Sequence, residues 1–263
     1  MKIREIADAI ERFAPLAWQE GYDNAGLVVG DPDSEVRRAL LAVDVTEEVL
    51  AEAEREGCDL VVTHHPLVFH PLKRLNEADH VQRCVARAIR SGIALYACHT
   101  NLDSAPGGMS WRLAADLGLG GLEVLEPAPG KGEGVGFGVV GELPEAMPTL
   151  EFLRGAARRL HVGAVRYSDV VHDRVRRVAV CTGAGGSLVG EAIRAGAELY
   201  VTADLKYSDF MTPSGRLTVA DVGHFESEYC AIEILFDIFS KNLRTFAVRK
   251  SGCSRNPVNY LCL

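Results

Sequence analysis

The sequence predicts an α/β fold of two similar lobes, with mainly parallel or mixed sheets related by a pseudo-twofold internal repeat. Three observations predict it. Strand-like and helix-like segments alternate along most of the chain, the order that builds a largely parallel sheet with helices packed on it. One strand–helix–strand unit recurs without gaps at a constant spacing of 139 residues. A turn-rich connector, EPAPGKGEG (126–134), separates the two runs, which places the lobes at 1–125 and 126–263. The last helix could pack across both.

Each element has its own signal. Ile3, Ile6, Ala7, Ile10 and Phe13 mark one face of a first helix. A loop rich in Gly, Asp and Asn follows, YDNAGLVVGD (22–31). ALLAVDV (39–45) reads as a buried strand, and TEEVLAEAERE (46–56) as a helix with Thr46 as its N-cap. DLVVTHH (59–65) and IALYACH (93–99) are strands, with a helix around 79–91 between them and another over 108–117. Beyond the connector come a Gly-rich strand (135–141) and a helix (148–160). The strands RVAVCTG (177–183), ELYVTAD (198–204) and RLTVADVG (216–223) follow, then a long last helix near 225–241. The apolar end VNYLCL (258–263) is a candidate interface strand.

The repeat is detailed. RRALLAVDVTEEVLAEAEREGCDLVVTHH (37–65) aligns with RRVAVCTGAGGSLVGEAIRAGAELYVTAD (176–204), pairing Arg37 with Arg176, Glu52 with Glu191, Gly57 with Gly196 and Thr63 with Thr202. After a shorter second spacer, ALYACHTNLD (94–103) matches VADVGHFESE (219–228). Each of these strands leads into a His with a carboxylate four residues later: His99 with Asp103, and His224 with Glu228.

Composition narrows the function classes. A formal net charge of −8 opposes a large phosphate-backbone surface and an anionic membrane face, so neither nucleic acid nor membrane is an expected partner. No apolar run is long enough to span a bilayer. The N-terminus MKIREIADAIERF reads as an amphipathic helix and not as a signal peptide. The 7 cysteines are scattered, odd in number and without a CxxC, which fits reduced thiols in a cytoplasm and not a cysteine zinc site.

The chemistry gathers at strand ends. His64, His65, His99 and His224 all fall at carboxyl ends of predicted strands, the edge at which open α/β sheets bind ligands. The i, i+4 spacing puts His224 and Glu228 on one helix face. Adjacent His64 and His65 should point to opposite sides of an extended chain and so reach two ions. Imidazoles and carboxylates without thiolate suit zinc, iron, manganese or nickel. Carboxylates can bridge two such ions, and Asp44 ends a strand facing the same edge. His99 is read as a ligand, a partner of ligands or a proton carrier. His70, His80, His161 and His172 are read as structural. CTGAGGS (181–187) is a candidate phosphate-cradling turn without a P-loop lysine, or a tight strand-to-helix turn. Lys206 and Tyr207 are candidates for substrate contact.

The motifs DNAGLVVGD, THHPLVFHPLKRL (63–75), HTNLDSAPGG (99–108), TGAGGS, TADLKYSDF (202–210) and GHFESE (223–228), in that order, resemble the YbgI-like family. That family is also called NIF-three-like, or type 2 homologues of GTP cyclohydrolase I. The resemblance implies two linked α/β lobes, a dinuclear metal centre and a toroidal hexamer made of three dimers. Carried over by motif, its metal ligands fall on His64, His65, Asp103, His224 and Glu228, with Glu228 as a bridge and His99 beside them as the catalytic candidate. A metal-dependent hydrolase of a small, nucleotide-like substrate is the leading expectation. The alternative is a hexameric metal-holding scaffold without turnover. Tyr22 stands where relatives often have Trp, and ADLKYS, with Ala203 and Ser208, stands where they have GDLKYH. The loss of a histidine at 208 weakens the transfer of activity more than that of the metal site.

Overall fold

The computed structural model describes residues 1–211, 213 and 215–261. The chain divides into one unit of Met1–Leu102 with Ala231–Arg255, and a second of Asp103–Cys230 with the residues from Asn256 onward. Along the first unit run α1 (Ile3–Glu11), β1 (Gly26–Val29), β2 (Arg38–Ala42), α2 (Glu47–Glu56), β3 (Leu60–Thr63), α3 (His80–Ser91) and β4 (Ala94–Ala97). The single turn α4 (Thr100–Asp103) carries the chain across the boundary. The second unit holds α5 (Met109–Asp116), β5 (Gly120–Pro127), β6 (Gly136–Pro148), α6 (Thr149–Leu160), β7 (Arg166–Tyr167) and β8 (Arg174–Ala184). It continues with α7 (Val189–Arg194), β9 (Leu199–Ala203), α8 (Tyr207–Met211), β10 (Thr218–Asp221) and α9 (His224–Glu228). Then α10 (Cys230–Asn242) returns the chain to the first unit, which β11 (Ala247–Lys250) completes.

The first sheet has the order β1-β4-β3-β2-β11, and the second β5-β6-β8-β9-β10-β7. In the first, β4, β3, β2 and β11 are parallel and β1 is antiparallel to β4. In the second, β8, β9 and β10 are parallel, with β7 antiparallel to β10 and β6 antiparallel to β8. The series β1-β4-β3-β2 and β7-β10-β9-β8 therefore agree in order and direction. Their register agrees as well. Ala39 pairs with Leu60, and Val178 with Leu199, each residue displaced by 139.

One expected equivalence is off by a residue. Leu60 pairs with Ala94 and Leu199 with Thr218, so the strand ladder sets His99 opposite Gly223 and not His224. Gly223, at φ 86, adopts a backbone that other residues resist, and it inserts one residue before the helix that carries His224.

Why these segments fold this way follows from pattern and caps. Thr46 caps α2 by accepting the Val49 amide at 3.1 Å, a contact that contributes about 1 kcal/mol. Asp79 caps α3 in the same way through Gln82. Gly57 and Gly92 close both helices in the left-handed conformation. The first core joins Leu40, Val49, Leu50, Val61, Cys84 and Leu95 between sheet and helices. Strand β8 shows that the second sheet is covered on both faces. Its Val178 and Val180 enter one core with Leu113 and Phe152, while Ala179 and Cys181 enter another with Leu188 and Leu217.

Several elements carry no readable pattern. β11 is an edge strand with one half-buried residue among exposed ones, so it lacks both alternation and an apolar run. β1 lies inside the Gly- and Asp-rich segment read as a loop. The connector expected between lobes closes a hairpin, with Pro127 opposite Gly136, so it lies inside the second unit. The expected long last helix is two helices, α9 and α10. Residues 258–261 are irregular, and Cys262 and Leu263 of the candidate interface strand lie outside the described residues. Among the described residues no helix is long and apolar enough to cross a membrane.

Candidate metal centre

In the first unit three imidazoles converge. His64 and His65 leave the end of β3, and His99 follows β4. Their ring centroids are 4.9, 5.2 and 5.4 Å apart, and each ring offers a nitrogen within 4.8 Å of the other two. His64 and His65 do not diverge as an extended chain would require. β3 ends at Thr63, whose hydroxyl donates to the His65 carbonyl at 2.8 Å and folds the chain over.

Each ring is held through the same nitrogen. His64 Nδ1 lies 2.9 Å from the Cys98 carbonyl, His65 Nδ1 2.7 Å from Asp44 Oδ1 and His99 Nδ1 2.7 Å from Asp23 Oδ1. A nitrogen that donates to oxygen leaves the lone pair of a neutral imidazole on Nε2, the arrangement of carboxylate–histidine–metal triads. Asp23 has a fully buried side chain and also accepts from the Thr100 amide at 3.0 Å and from the Thr100 hydroxyl. Burial alone would push its carboxyl up. The hydrogen bonds from His99 and Thr100 outweigh that and hold it at about 2.

In the second unit His224 opens α9 and Glu228 ends it. His224 Nδ1 lies 2.8 Å from Asp204 Oδ2, and its Nε2 lies 2.9 Å from Glu228 Oε2. The expected i, i+4 pair is therefore formed. An oxygen of Asp103 lies within 4.8 Å of one of Glu228. Glu228 is buried, as is His64 in the first unit.

The CTGAGGS stretch has a different use from a phosphate cradle. The amides of Thr182, Gly183 and Gly185 donate to the Ser110, Ser227 and Thr202 hydroxyls at 3.2, 3.0 and 3.0 Å. Gly183, at φ 63, passes so close to Glu228 that a Cβ there would overlap the carboxylate. The turn is shaped around a carboxylate of its own chain.

No pattern in the sequence points to Asp23 or Asp204, which orient His99 and His224, although Asp23 stands in the DNAGLVVGD motif. Asp204 sits at φ 52, a left-handed conformation that only a few non-glycine residues tolerate. Lys206 and Tyr207 are exposed. Among the other histidines, His70 is exposed beside Phe69, His80 Nε2 lies 3.2 Å from the Val45 carbonyl, His161 is the left-handed cap of α6, and the His172 carbonyl accepts the Thr149 hydroxyl.

The donor set fits a divalent ion. It consists of neutral-capable imidazoles fixed at Nδ1 and of carboxylates, with no thiolate. His224 stands between two carboxylates. The Glu228 contact raises its pKa against the effect of burial, with Asp204 adding to the rise, to about 9 from an ordinary 6.5. The metal-free protein should therefore keep the stability of this pair below pH 6.5 and lose it as pH climbs through 9. Thermal melts of the metal-free chain against His224→Gln across that window should converge at high pH, and parallel curves would refute this. Metal taken up within the window should release a proton, visible by calorimetry in two buffers.

Fold and side chains together define an α/β protein whose sheet edges present histidine and carboxylate groups able to hold a metal ion. The chain matches the family model Duf34/NIF3 (NGG1p interacting factor 3) over residues 1–257, and it belongs to that family. It is 36% identical over 232 residues to the GTP cyclohydrolase 1 type 2 homolog of Clostridium perfringens, covering 87% of each chain. The solved structure of protein ybgI, described as of unknown function, superposes with a TM-score of 0.84 at 26% identity, over 98% of this chain and 100% of that one. Staphylococcus aureus protein SA1388 superposes with a TM-score of 0.91 over 99% of each chain, and at 24% identity it speaks for the fold alone.

Proposed function

We propose that His64, His65, Asp103, His224 and Glu228 jointly hold two divalent ions of zinc, iron, manganese or nickel, with Glu228 bridging them. The protein is then a cytoplasmic, metal-dependent hydrolase of a small nucleotide-like substrate, assembled as a hexamer of three dimers. The observation that carries the reading is the common fixing of all four histidines at Nδ1, three of them by carboxylates. Bound ions would supply Lewis acidity to a hydrolysis. The chain supplies the rest. Asp23, ionised at about 2, holds His99 so that its Nε2 can take a proton from a reacting oxygen and return it to a leaving group. The turn α4 separates His99 from Asp103 by one helical turn of chain. Lys206 offers a cation for an anionic substrate. The nucleotide-like class rests on the names of relatives such as the GTP cyclohydrolase 1 type 2 homolog of Clostridium perfringens.

A second reading, a metal-holding scaffold without turnover, draws on Ser208. It is exposed and stands where the resemblance expects a histidine. Elemental analysis of purified protein, a hydrolysis screen over nucleotides and phosphoesters, and light scattering separate the two. The enzyme reading expects two ions per chain, a hexamer, and turnover that His99→Ala abolishes while metal stays bound. Metal without any turnover supports the scaffold. A monomer without metal overturns both.

A further inference from the structure

Two carboxyl ends of equivalent strands in the repeat are gripped alike by serines from remote parts of the chain. In the first unit the Val43 amide, just past β2, donates to Ser254 Oγ at 3.0 Å. In the second unit the Thr182 amide, 139 residues later, donates to Ser110 Oγ at 3.2 Å. Ser254 lies in the segment that follows β11, and Ser110 in α5. Each serine serves one amide at a strand end, where the next residue turns towards the candidate ligands.

The first of these grips is itself anchored. Glu52 on α2 is 8% exposed, and no step of the proposed chemistry uses it. Its carboxylate accepts the Gly252 amide at 3.0 Å, the Cys253 amide at 3.2 Å and the Ser251 hydroxyl. The Ser251 amide donates to the Leu41 carbonyl at 2.8 Å, which continues the pairing of β11 with β2. A buried carboxylate is costly without such donors, and here they fasten the turn 251–254 to the end of β2.

We propose that Ser254, at the end of the turn that Glu52 fastens, is a positioning residue for His65, and that Ser110 is its counterpart for Glu228. The inference rests on the metal reading above. Val43 is held at both of its main-chain groups: its N–H by Ser254 and its carbonyl by the His65 amide at 3.0 Å. The two bonds hold the peptide planes before and after Val43, so neither plane can rotate without breaking its own bond. The orientation of these two planes sets how Asp44 leaves the strand, and Asp44 Oδ1 holds His65 Nδ1. In the second unit Ser110 also lies 3.3 Å from Thr182 Oγ1. The residue that Thr182 presents next is Gly183, which donates to Ser227 and lies against the Glu228 carboxylate. A serine hydroxyl thus sets a strand end, and the strand end sets a candidate ligand.

Two readouts test this. The first needs no metal: the imidazole N–H signals of 15N-histidine-labelled, metal-free protein, with His65 Nδ1–H assigned by its loss in Asp44→Ala. The second is cobalt(II) affinity by chelator competition, with the visible spectrum reporting ligand geometry. Ser254→Ala should lose the His65 signal and bind cobalt about 10–100-fold more weakly, as is typical when a group that orients a ligand is removed. Ser254→Thr, which keeps the hydroxyl, should restore both. Ser110→Ala should weaken cobalt binding without moving the His65 signal. Glu52→Gln keeps the side-chain volume and should shift both readouts in the direction of Ser254→Ala. A lower melting temperature with an unchanged signal and unchanged affinity would reduce both serines to structural residues and overturn the proposal. Were the unaltered chain to take up no cobalt while the His65 signal still followed the hydroxyl, the metal reading would fall and the positioning of His65 would stand.

Discussion

Glu228→Ala is expected to lose most of the bound metal, whereas His70→Ala keeps it. Glu228 is buried, touches His224 Nε2 at 2.9 Å and has an Asp103 oxygen within 4.8 Å. If it bridges two ions, its removal deletes a ligand from each and leaves two cations with less between them. At short range in a partly desolvated site that repulsion is on the order of several kcal/mol. His70 is exposed and packs on Phe69, and it has no counterpart in the repeat. Its loss should cost about 10–100-fold in affinity at most. Metal bound only to the folded state stabilises that state by mass action, so the Glu228 variant should also melt lower when purified with metal. Elemental analysis after identical dialysis decides. Two ions retained by Glu228→Ala, or none by His70→Ala, would overturn the ligand assignment.

Much of the candidate centre was legible because its residues come in pairs with helical or repeat spacing. His224 and Glu228 were readable as a pair from i, i+4 alone, and the fold joins them at 2.9 Å. The strand series was readable because β2, β3, β8 and β9 are runs of buried apolar residues, and their registers keep the 139-residue spacing. Other features were hidden because single-sequence patterns do not report tertiary partners. The sequence offers no sign that Asp23 reaches His99 across 76 positions, or that Asp204 would adopt a left-handed backbone to meet His224. Nor does it show that β11 returns to β2, since an edge strand with mostly exposed side chains has no period to read. The glycines of CTGAGGS invited a phosphate, the commonest anion for such a turn. The anion that the turn accommodates is the chain's own Glu228, which lies 45 residues further on and could be placed there only by folding.

Gly183→Ala should therefore cost both stability and metal, and a matched control separates the two losses. Gly183 has φ +63, so alanine there meets a backbone penalty of about 1–2 kcal/mol. Gly57, the left-handed cap of α2, has the same φ of +63 and nothing within 4 Å of an added Cβ. Gly57→Ala thus isolates the backbone penalty. At Gly183 the added methyl also overlaps Glu228 Oε1, with Glu228 Cδ only 3.2 Å and His224 Cε1 3.5 Å away. The carboxylate cannot easily retreat, because it is buried and shares its helix with Ser227, whose hydroxyl binds both the Gly183 amide and the His224 carbonyl. Either Glu228 moves away from His224, or the β8 turn shifts and gives up its hydrogen bond to Ser227. Both outcomes disturb a candidate ligand. Metal-free melts should show Gly183→Ala below Gly57→Ala, and metal content should fall sharply in the first and stay at the parent level in the second. Equal metal content in the two variants would show that the glycine is there for the backbone alone, and that the close approach to Glu228 has no part in holding an ion.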